Sequence, residues 1–250
     1  MVSLRESQGG YIKKYLFSLG CLGLLVGCAS GPNQDPRDPW EPMNRRVNSF
    51  NDFFDRNVLK PTAEFYQKVM PAPAAEAVTN FFSNLGDVVV LANDLLQLKF
   101  EPALQDGARI VYNTTFGLGG LFDVASAWDI PKHNEDFGQT LGYWGVGPGP
   151  YVVIPFLGPK TVRDTVGYAT DTTVDLIYQV TPEPARLETA GVRFVDTRTS
   201  LLGASRVLDE AALDPYAFMR DAYLQRRASL VRDGQPSSEE EDNPPPPPPE

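Results

Sequence analysis

The side chains that most often perform catalysis are scarce in this chain. It has 250 residues, one histidine, His133, and two cysteines, Cys21 and Cys28. One histidine excludes the zinc motifs that need two, and no G-x-S-x-G elbow places a serine nucleophile. We therefore expect no catalytic centre, no metal site and no cofactor. A hydrolase that depends on His133 is the enzymatic alternative.

Two other short motifs are weak indicators of chemistry. The sequence Gly158-Pro159-Lys160-Thr161 is similar to the end of a phosphate-binding loop, but a proline separates its glycine from its lysine. Asp171 and Asp175 are four residues apart, a spacing more typical of a solvated helix face than of an acid and base pair. Neither motif predicts an enzyme.

Cys28 has the clearest chemical context of any residue. Two lysines precede an apolar run, Leu16 to Val26, which is too short to cross a bilayer as a helix and is typical of a secretory signal. Its end, LVGC, is similar to the lipobox of bacterial lipoproteins, in which the cysteine is acylated after cleavage. We predict a signal peptide over residues 1–27 and lipidation at Cys28, which leaves no cysteine pair for a disulfide.

Both ends of the mature chain are predicted to be extended segments. Residues 28–39 are polar and proline-rich and are predicted to be a tether, whereas 233–250 are predicted to be a disordered, acidic, proline-rich tail. The six consecutive prolines favour an extended spacer over a ligand for a proline-reading domain. The formal net charge of −10 makes nucleic acid an unsuitable partner.

The part between them, residues 40–232, is predicted to be all-α with at most one small hairpin. Apolar residues recur at spacings of three and four from Trp40 to Val58, and Pro61 either ends that helix or begins the next. A break at Gly86, with Asp87 as N-cap, is predicted to divide the apolar region from Glu76 to Phe100. Further helices are predicted from Glu101 to Asn113, from a Thr161 cap to Val180, from Pro184 to Val195 and from Asp214 to Arg227.

One predicted helix is apolar almost all round. From Val88 to Leu98 only Asn93, Asp94 and Gln97 interrupt the apolar surface, and at 100° per residue they share one narrow face. Two interpretations stay open for such a helix. It is either a core helix whose polar stripe reaches the surface, or a lipid-contacting helix whose polar stripe turns toward protein or a wet cavity.

The segment Asp136 to Asp164 combines many glycines and prolines with large apolar residues. The glycines and prolines predict that it is not helical, and the apolar residues predict that it is not a solvated linker. It is either a short strand, Tyr151 to Pro155, entering a core between two turns, or a flexible lip over an apolar passage.

Five linked motifs then point to one family. These are DPWEPMNRRVNSFN near the start, NFFSNLGD from Asn80, NTTFGLGGLFDVAS from Asn113, DFGQTLGYWGVGPGPYVVIPFLGP from Asp136, and the Arg163-Asp164 pair. Over about Asp38 to Arg227 the chain resembles the MlaA/VacJ lipoproteins of the Gram-negative outer membrane. Alanine at residue 29 agrees, since similar enterobacterial lipoproteins without aspartate there are sorted to the outer membrane.

The resemblance implies a ring-like helical domain, lipid-anchored and membrane-embedded, that removes phospholipids from the outer leaflet through an amphipathic channel. It also implies a trimeric porin as a partner and a soluble periplasmic lipid carrier as the recipient, with no covalent chemistry. On this hypothesis Asn93, Asp94 and Gln97 form a polar lane for the headgroup. A gate would consist of Tyr143, Trp144, Gly145, Gly147, Gly149, Tyr151 and Phe156. The rival class is a structural or scaffolding lipoprotein that works through its tail.

Overall fold

The computed structural model describes residues 35–205 and 213–235. Within those ranges the chain is predominantly helical with one two-stranded hairpin, which confirms the predicted fold class. The signal peptide, Cys28 and almost all of the predicted tail lie outside the described residues.

The elements follow one another with short connections. The helices are α1 (Glu41–Phe54), α2 (Lys60–Val69), α3 (Ala72–Leu96), α4 (Phe100–Thr115), α5 (Val124–Ala127), α6 (Phe137–Tyr143), α7 (Val162–Asp171), α8 (Glu183–Ser200) and α9 (Pro215–Val231). Strands β1 (Tyr151–Ile154) and β2 (Gly158–Thr161) lie between α6 and α7. A π-helical turn, Asp55–Leu59, joins α1 to α2, and a 3-10 turn, Leu176–Gln179, follows α7.

The break predicted at Gly86 is wrong, because α3 runs unbroken from Ala72 to Leu96. Glycine costs only about 1 kcal/mol in a helix interior, and the packing of α3 against α4 offsets such a cost. Asp87 is not an N-cap. Its carboxylate is almost fully buried and receives the ammonium of Lys132, so it belongs to the interior of the fold.

Two other helix predictions need correction. The central segment is not free of helix, since the Asp136 side chain accepts a hydrogen bond from the Gln139 N–H and caps α6. Thr161 caps α7 as predicted, but α7 ends at Asp171. Asp175 then caps the separate 3-10 turn and is almost buried, so Asp171 and Asp175 do not share a solvated helix face.

The predicted tether is shorter than expected at its C-terminal end. Asp38 is fully buried and accepts a hydrogen bond from the Tyr216 hydroxyl at 2.5 Å. Arg220 lies 3.1 Å from Asp35, and Arg37 donates to Asp221 at 2.8 Å. These contacts fix residues 35–38 against α9, so the folded part begins before Trp40.

The burial of polar and apolar side chains is partly the reverse of the usual distribution in a globular protein. Among the described residues, buried polar and charged side chains outnumber buried apolar ones, and many large apolar side chains are exposed. Leu104 is 75% exposed, and Phe53 and Phe65 are 67% and 66% exposed. None of the described helices combines the length and apolarity needed to cross a bilayer.

Candidate functional site

The hairpin has two distinct faces. Tyr151 and Val153 on β1 are buried and pack with Tyr216 of α9. Because side chains alternate along a strand, Val152 and its cross-strand partner Lys160 point to the opposite face. One face therefore belongs to the core, and the other is half-buried.

Two asparagines of α1 hold the outer edge of β1. The Asn44 amide donates to the Tyr151 carbonyl at 3.1 Å, and its oxygen accepts the Val153 N–H at 2.9 Å. Asn51 does the same with the Ile154 carbonyl and the Phe156 N–H, at 3.0 and 2.8 Å. Since an unpaired strand edge exposes polar backbone groups, this pair replaces a neighbouring strand.

The tip of the hairpin is held by aromatic packing. Phe156 has φ of 65°, a left-handed conformation that is strained for an aromatic residue. Its ring meets those of Phe50 and Phe54 edge to face, with centroids 5.3 and 5.0 Å apart. Phe156 is thus tied to α1, and Tyr151 is a core residue. Of the seven predicted gate residues, these two lie in a fixed structure.

The other five predicted gate residues lie in the exposed segment Tyr143 to Gly149, which we call the lip. Tyr143 and Trp144 are 53% and 52% exposed. Gly145 and Gly149 have φ of 89° and 67°, values that glycine adopts without strain. The Trp144 indole N–H donates to the Leu96 carbonyl at 3.3 Å, which places the lip beside the end of α3.

Helices α6 and α7 flank the lip and hairpin and approach each other very closely. A Cβ atom at Gly167 would lie 2.3 Å from the Gly138 nitrogen, so only glycine fits there. The Arg227 guanidinium bonds to Asp136 and Asp164, at 2.5 and 3.0 Å. Burial alone would raise the pKa of Asp164, but the charge of Arg227 and the Tyr223 hydrogen bond lower it.

A cavity of about 440 Å³ lies between α3, α7, the 3-10 turn and α8. Its wall combines apolar side chains such as Phe82 and Val90 with charged ones. Lys132 pairs with Asp87, and Arg193 donates to Asp175 at 2.6 Å. Such a wall suits a ligand that has both an apolar and a charged part.

The predicted lane residues do come together, but inside the protein. Asn93, Asp94 and Gln97 are at most 2% exposed. The Asn93 amide donates to the Asp171 carboxylate at 3.0 Å, and the Gln97 amide donates to Glu135 at 2.8 Å. Since Asp171 and Glu135 line the cavity, Asn93 and Gln97 stand behind its wall and hold it in place.

Asp94 has no hydrogen-bond donor at either carboxyl oxygen among the described residues. Burial, followed by the neighbouring Asp106 carboxyl, raises its pKa to about 7. Asp106 in turn lies 2.9 Å from the His133 ring. In the described part of the chain His133 bonds to no serine, and no cluster of three metal-ligating side chains occurs.

A larger cavity, about 790 Å³, lies beside the end of the lip. Pro148 and Gly149 line it together with Arg163 and with Leu224 and Val231 of α9. The lip therefore forms one wall of this cavity, and a displacement of the lip would change its opening.

Several structural residues were not predicted as part of the site. Asn44 and Asn51 lie seven residues apart, which places them on one helix face, and that spacing was the available signal. Arg109 is buried and makes a bidentate contact of 2.9 Å with Asp123, fixing the turn after α4. No local sequence pattern indicates that partner.

The comparisons with known proteins agree with these features. The family model described as MlaA lipoprotein matches residues 36–230. The chain belongs to the MlaA lipoprotein family. It is 35% identical over 218 residues to the intermembrane phospholipid transport system lipoprotein MlaA of Escherichia coli K12, covering 85% of this chain and 86% of that protein. The Haemophilus influenzae protein of the same name is 33% identical over 219 residues, 84% and 87% of the two chains.

A solved structure extends the agreement to three dimensions. It comes from work on the structural basis for maintenance of bacterial outer membrane lipid asymmetry, and its TM-score with this chain is 0.69 at 33% identity. The superposition covers 78% of this chain and 98% of that one. The helical architecture of this MlaA-family member is therefore shared with a solved protein.

Proposed function

We propose that this MlaA-family protein transports phospholipid between membranes, removing it from the outer leaflet of the outer membrane. The observation that carries the proposal is the distribution of polarity. Polar side chains are buried around a cavity with a mixed wall, while large apolar side chains cover much of the outside. That arrangement suits a protein surrounded by lipid that handles an amphipathic molecule. Relatives named as phospholipid transport lipoproteins support it.

The route of the lipid follows from the cavity. Phe82, Val89 and Val90 offer apolar contacts to acyl chains, and the charged groups of the same wall face a headgroup. In this proposal Asn93, Asp94 and Gln97 lie behind the residues that line the headgroup lane. Asn93 and Gln97 fix the cavity residues Asp171 and Glu135, and Asp94 is buried beside Asp106, so none of the three touches the lipid itself.

The gate in this proposal is the lip. Five residues first predicted to form the gate lie in it, and it borders both the end of α3 and the larger cavity. Tyr151 and Phe156 are its fixed support instead of moving parts. Movement of the lip would change the opening of the larger cavity without disturbing the core.

The anchor and partners complete the proposal. A lipidated Cys28 would hold the protein at the outer membrane, because two or more acyl chains bind a bilayer firmly. A trimeric porin would surround the exposed apolar surface, and a soluble periplasmic carrier would receive the phospholipid. No covalent step is required of the chain.

The test is the amount of phospholipid exposed in the outer leaflet, read by a surface-acting phospholipase reporter. We expect accumulation when the gene is deleted and reversal by the intact protein, but not by a Cys28→Ser variant. An unchanged outer leaflet in the deletion strain, under conditions where a known asymmetry mutant responds, would contradict the proposal.

A further inference from the structure

Lys160 is a cation on the half-buried face of the hairpin. It lies opposite Val152 in the register of β1 and β2. Its ammonium nitrogen stands 5.1 Å from the ring centroid of Tyr168, a cation–π distance. Tyr168 also lines the 440 Å³ cavity, and its hydroxyl lies 2.9 Å from that of Tyr178, another lining residue. One aromatic ring therefore connects Lys160 to the cavity.

Lys160 differs from the other two lysines near this cavity because it has no counterion among the described residues. Lys132 has Asp87 as its counterion, and Lys99 has Glu135 and Asp233. Lys160 forms no ion pair among the residues that the structure describes, and burial lowers its pKa. Its ammonium thus lacks an acidic partner at hydrogen-bond distance.

The carboxylates nearest to Lys160 are already engaged. Asp136 and Asp164 bond to Arg227, and Asp171 accepts from the Phe137 N–H and the Asn93 amide. A negative group from outside the chain would therefore give Lys160 the acidic partner that these engaged carboxylates do not provide. A phosphodiester is the negative group that a phospholipid carries, and a lysine ammonium binds phosphate as a point charge.

We propose that Lys160 binds the phosphate of the transported phospholipid as the headgroup passes the Tyr168 side of the cavity. This inference rests on the proposed function and assigns a headgroup contact to it. The hairpin is held by Asn44 and Asn51, so the contact would be fixed in space while the lip moves. Charge and position would then favour lipids with a phosphate over neutral diacylglycerol.

The experiment titrates the full lipidated chain, purified in a maltoside detergent, with three probes. These are a short-chain phosphatidylglycerol, the matching diacylglycerol without phosphate, and inorganic phosphate. The variants are Lys160→Gln, Lys160→Met, which keeps the aliphatic stem, and Lys160→Arg, which keeps the charge. Lys68→Gln, at an exposed position on α2, is the matched control. Unfolding midpoints establish that each variant is folded.

We expect both uncharged variants to bind the phosphatidylglycerol about tenfold more weakly, the loss of one charge-assisted contact. Diacylglycerol binding should not change, Lys160→Arg should restore most of the affinity, and Lys68→Gln should match the wild type. Inorganic phosphate should bind far more weakly than the lipid, and equal binding would make the site one for free phosphate and overturn the inference.

Two negative results are distinguishable. If the wild type and both uncharged variants bind the phosphatidylglycerol equally well, the Lys160 contact is overturned while the transport function stands. If the wild type binds no phospholipid and the outer leaflet of the deletion strain is unchanged, the proposed function fails and the Lys160 contact fails with it.

Discussion

The lip, Tyr143 to Gly149, and the hairpin, Tyr151 to Thr161, adjoin in the chain, and each combines glycine and proline with large apolar residues. They are held very differently. The hairpin is bonded along its edge by Asn44 and Asn51 and packs Tyr151 in the core. The lip is exposed along its length, and it is held by hydrogen bonds to Leu96 and Arg163 and by the packing of Trp144 against Phe137. Contacts from distant residues, not local composition, distinguish the hairpin from the exposed lip, the segment that we propose to move.

Glycine has two different roles in this region: it permits positive φ angles in the lip and close packing between helices. In the lip, Gly145 and Gly149 provide positive φ angles, and a Cβ atom at Gly145 would meet nothing within 4 Å. Between α6 and α7, Gly138 and Gly167 allow two backbones to touch. The same residue type thus gives freedom in the lip and close packing in the frame around it.

The largest expected effect comes from breaking the fixed frame. Gly167→Ala places a Cβ atom 2.3 Å from the Gly138 nitrogen, so α6 and α7 must separate. We expect the free energy of unfolding to fall by about 3 kcal/mol, the upper part of the range for overpacking. Chemical denaturation measures it. Gly191→Ala in α8, where a Cβ atom meets nothing, should be neutral or slightly stabilising.

Removing the edge support should cost somewhat less. Asn44→Ala leaves the Tyr151 carbonyl and the Val153 N–H without their partner in a buried place. The expected loss is about 2 kcal/mol of unfolding free energy. Asn57→Ala removes one exposed side-chain bond to the Phe53 carbonyl and should change stability by less than about 0.5 kcal/mol. Equal losses in the two variants would refute the role given to Asn44.

The buried network behind the cavity should make stability depend on pH. The pKa of Asp94 is raised to about 7 in the folded chain, above its unfolded value of 3.8. The folded state therefore binds the extra proton between these values, and stability falls as pH rises through that window, by at most about 1.4 kcal/mol per pH unit. Asp94→Asn should flatten this slope. A slope as steep in Asp94→Asn as in the wild type would show that another group is responsible.

The smallest effect should come from the lip and should appear in transport only. A Cβ atom at Gly147 would meet nothing within 4 Å, so Gly147→Ala should leave the unfolding midpoint unchanged or raise it slightly. Alanine restricts the backbone by about 0.4–1 kcal/mol relative to glycine. If this restriction raises the barrier to lip movement by the same amount, phospholipid removal should slow about two- to fivefold. A normal rate of removal would indicate that the freedom of Gly147 is not used.

The sequence predicted well whatever depends on local patterns. The helical class, the Thr161 cap, the helix that starts near Asp214 and the single hairpin follow from spacing and from capping residues, and the structure confirms them. The break at Gly86 was wrong because the packing of α3 against α4 outweighs the weak helix propensity of glycine.

The site was only partly predictable for a related reason. The helical spacing placed Asn93, Asp94 and Gln97 on one face of α3. Spacing alone does not show whether that face lines the cavity or lies behind its wall. Their partners, Asp171, Glu135 and Thr140, are 38 to 78 residues away in the chain. In the same way, the composition of the central segment did not separate Tyr151, a core residue, from Trp144, an exposed one.

The most direct test of the central claim fixes the lip to the frame by a reversible bond. A Cβ atom at Gly149 would lie 3.3 Å from that of Val162, slightly below the usual separation in disulfides, so a bond can form there with some strain, to which the positive φ of Gly149 adds. In a Gly149→Cys, Val162→Cys variant, we expect phospholipid to accumulate in the outer leaflet under oxidising conditions and to clear after addition of a reductant. Removal that is equally fast in the oxidised and reduced protein would contradict the claim that the lip must move.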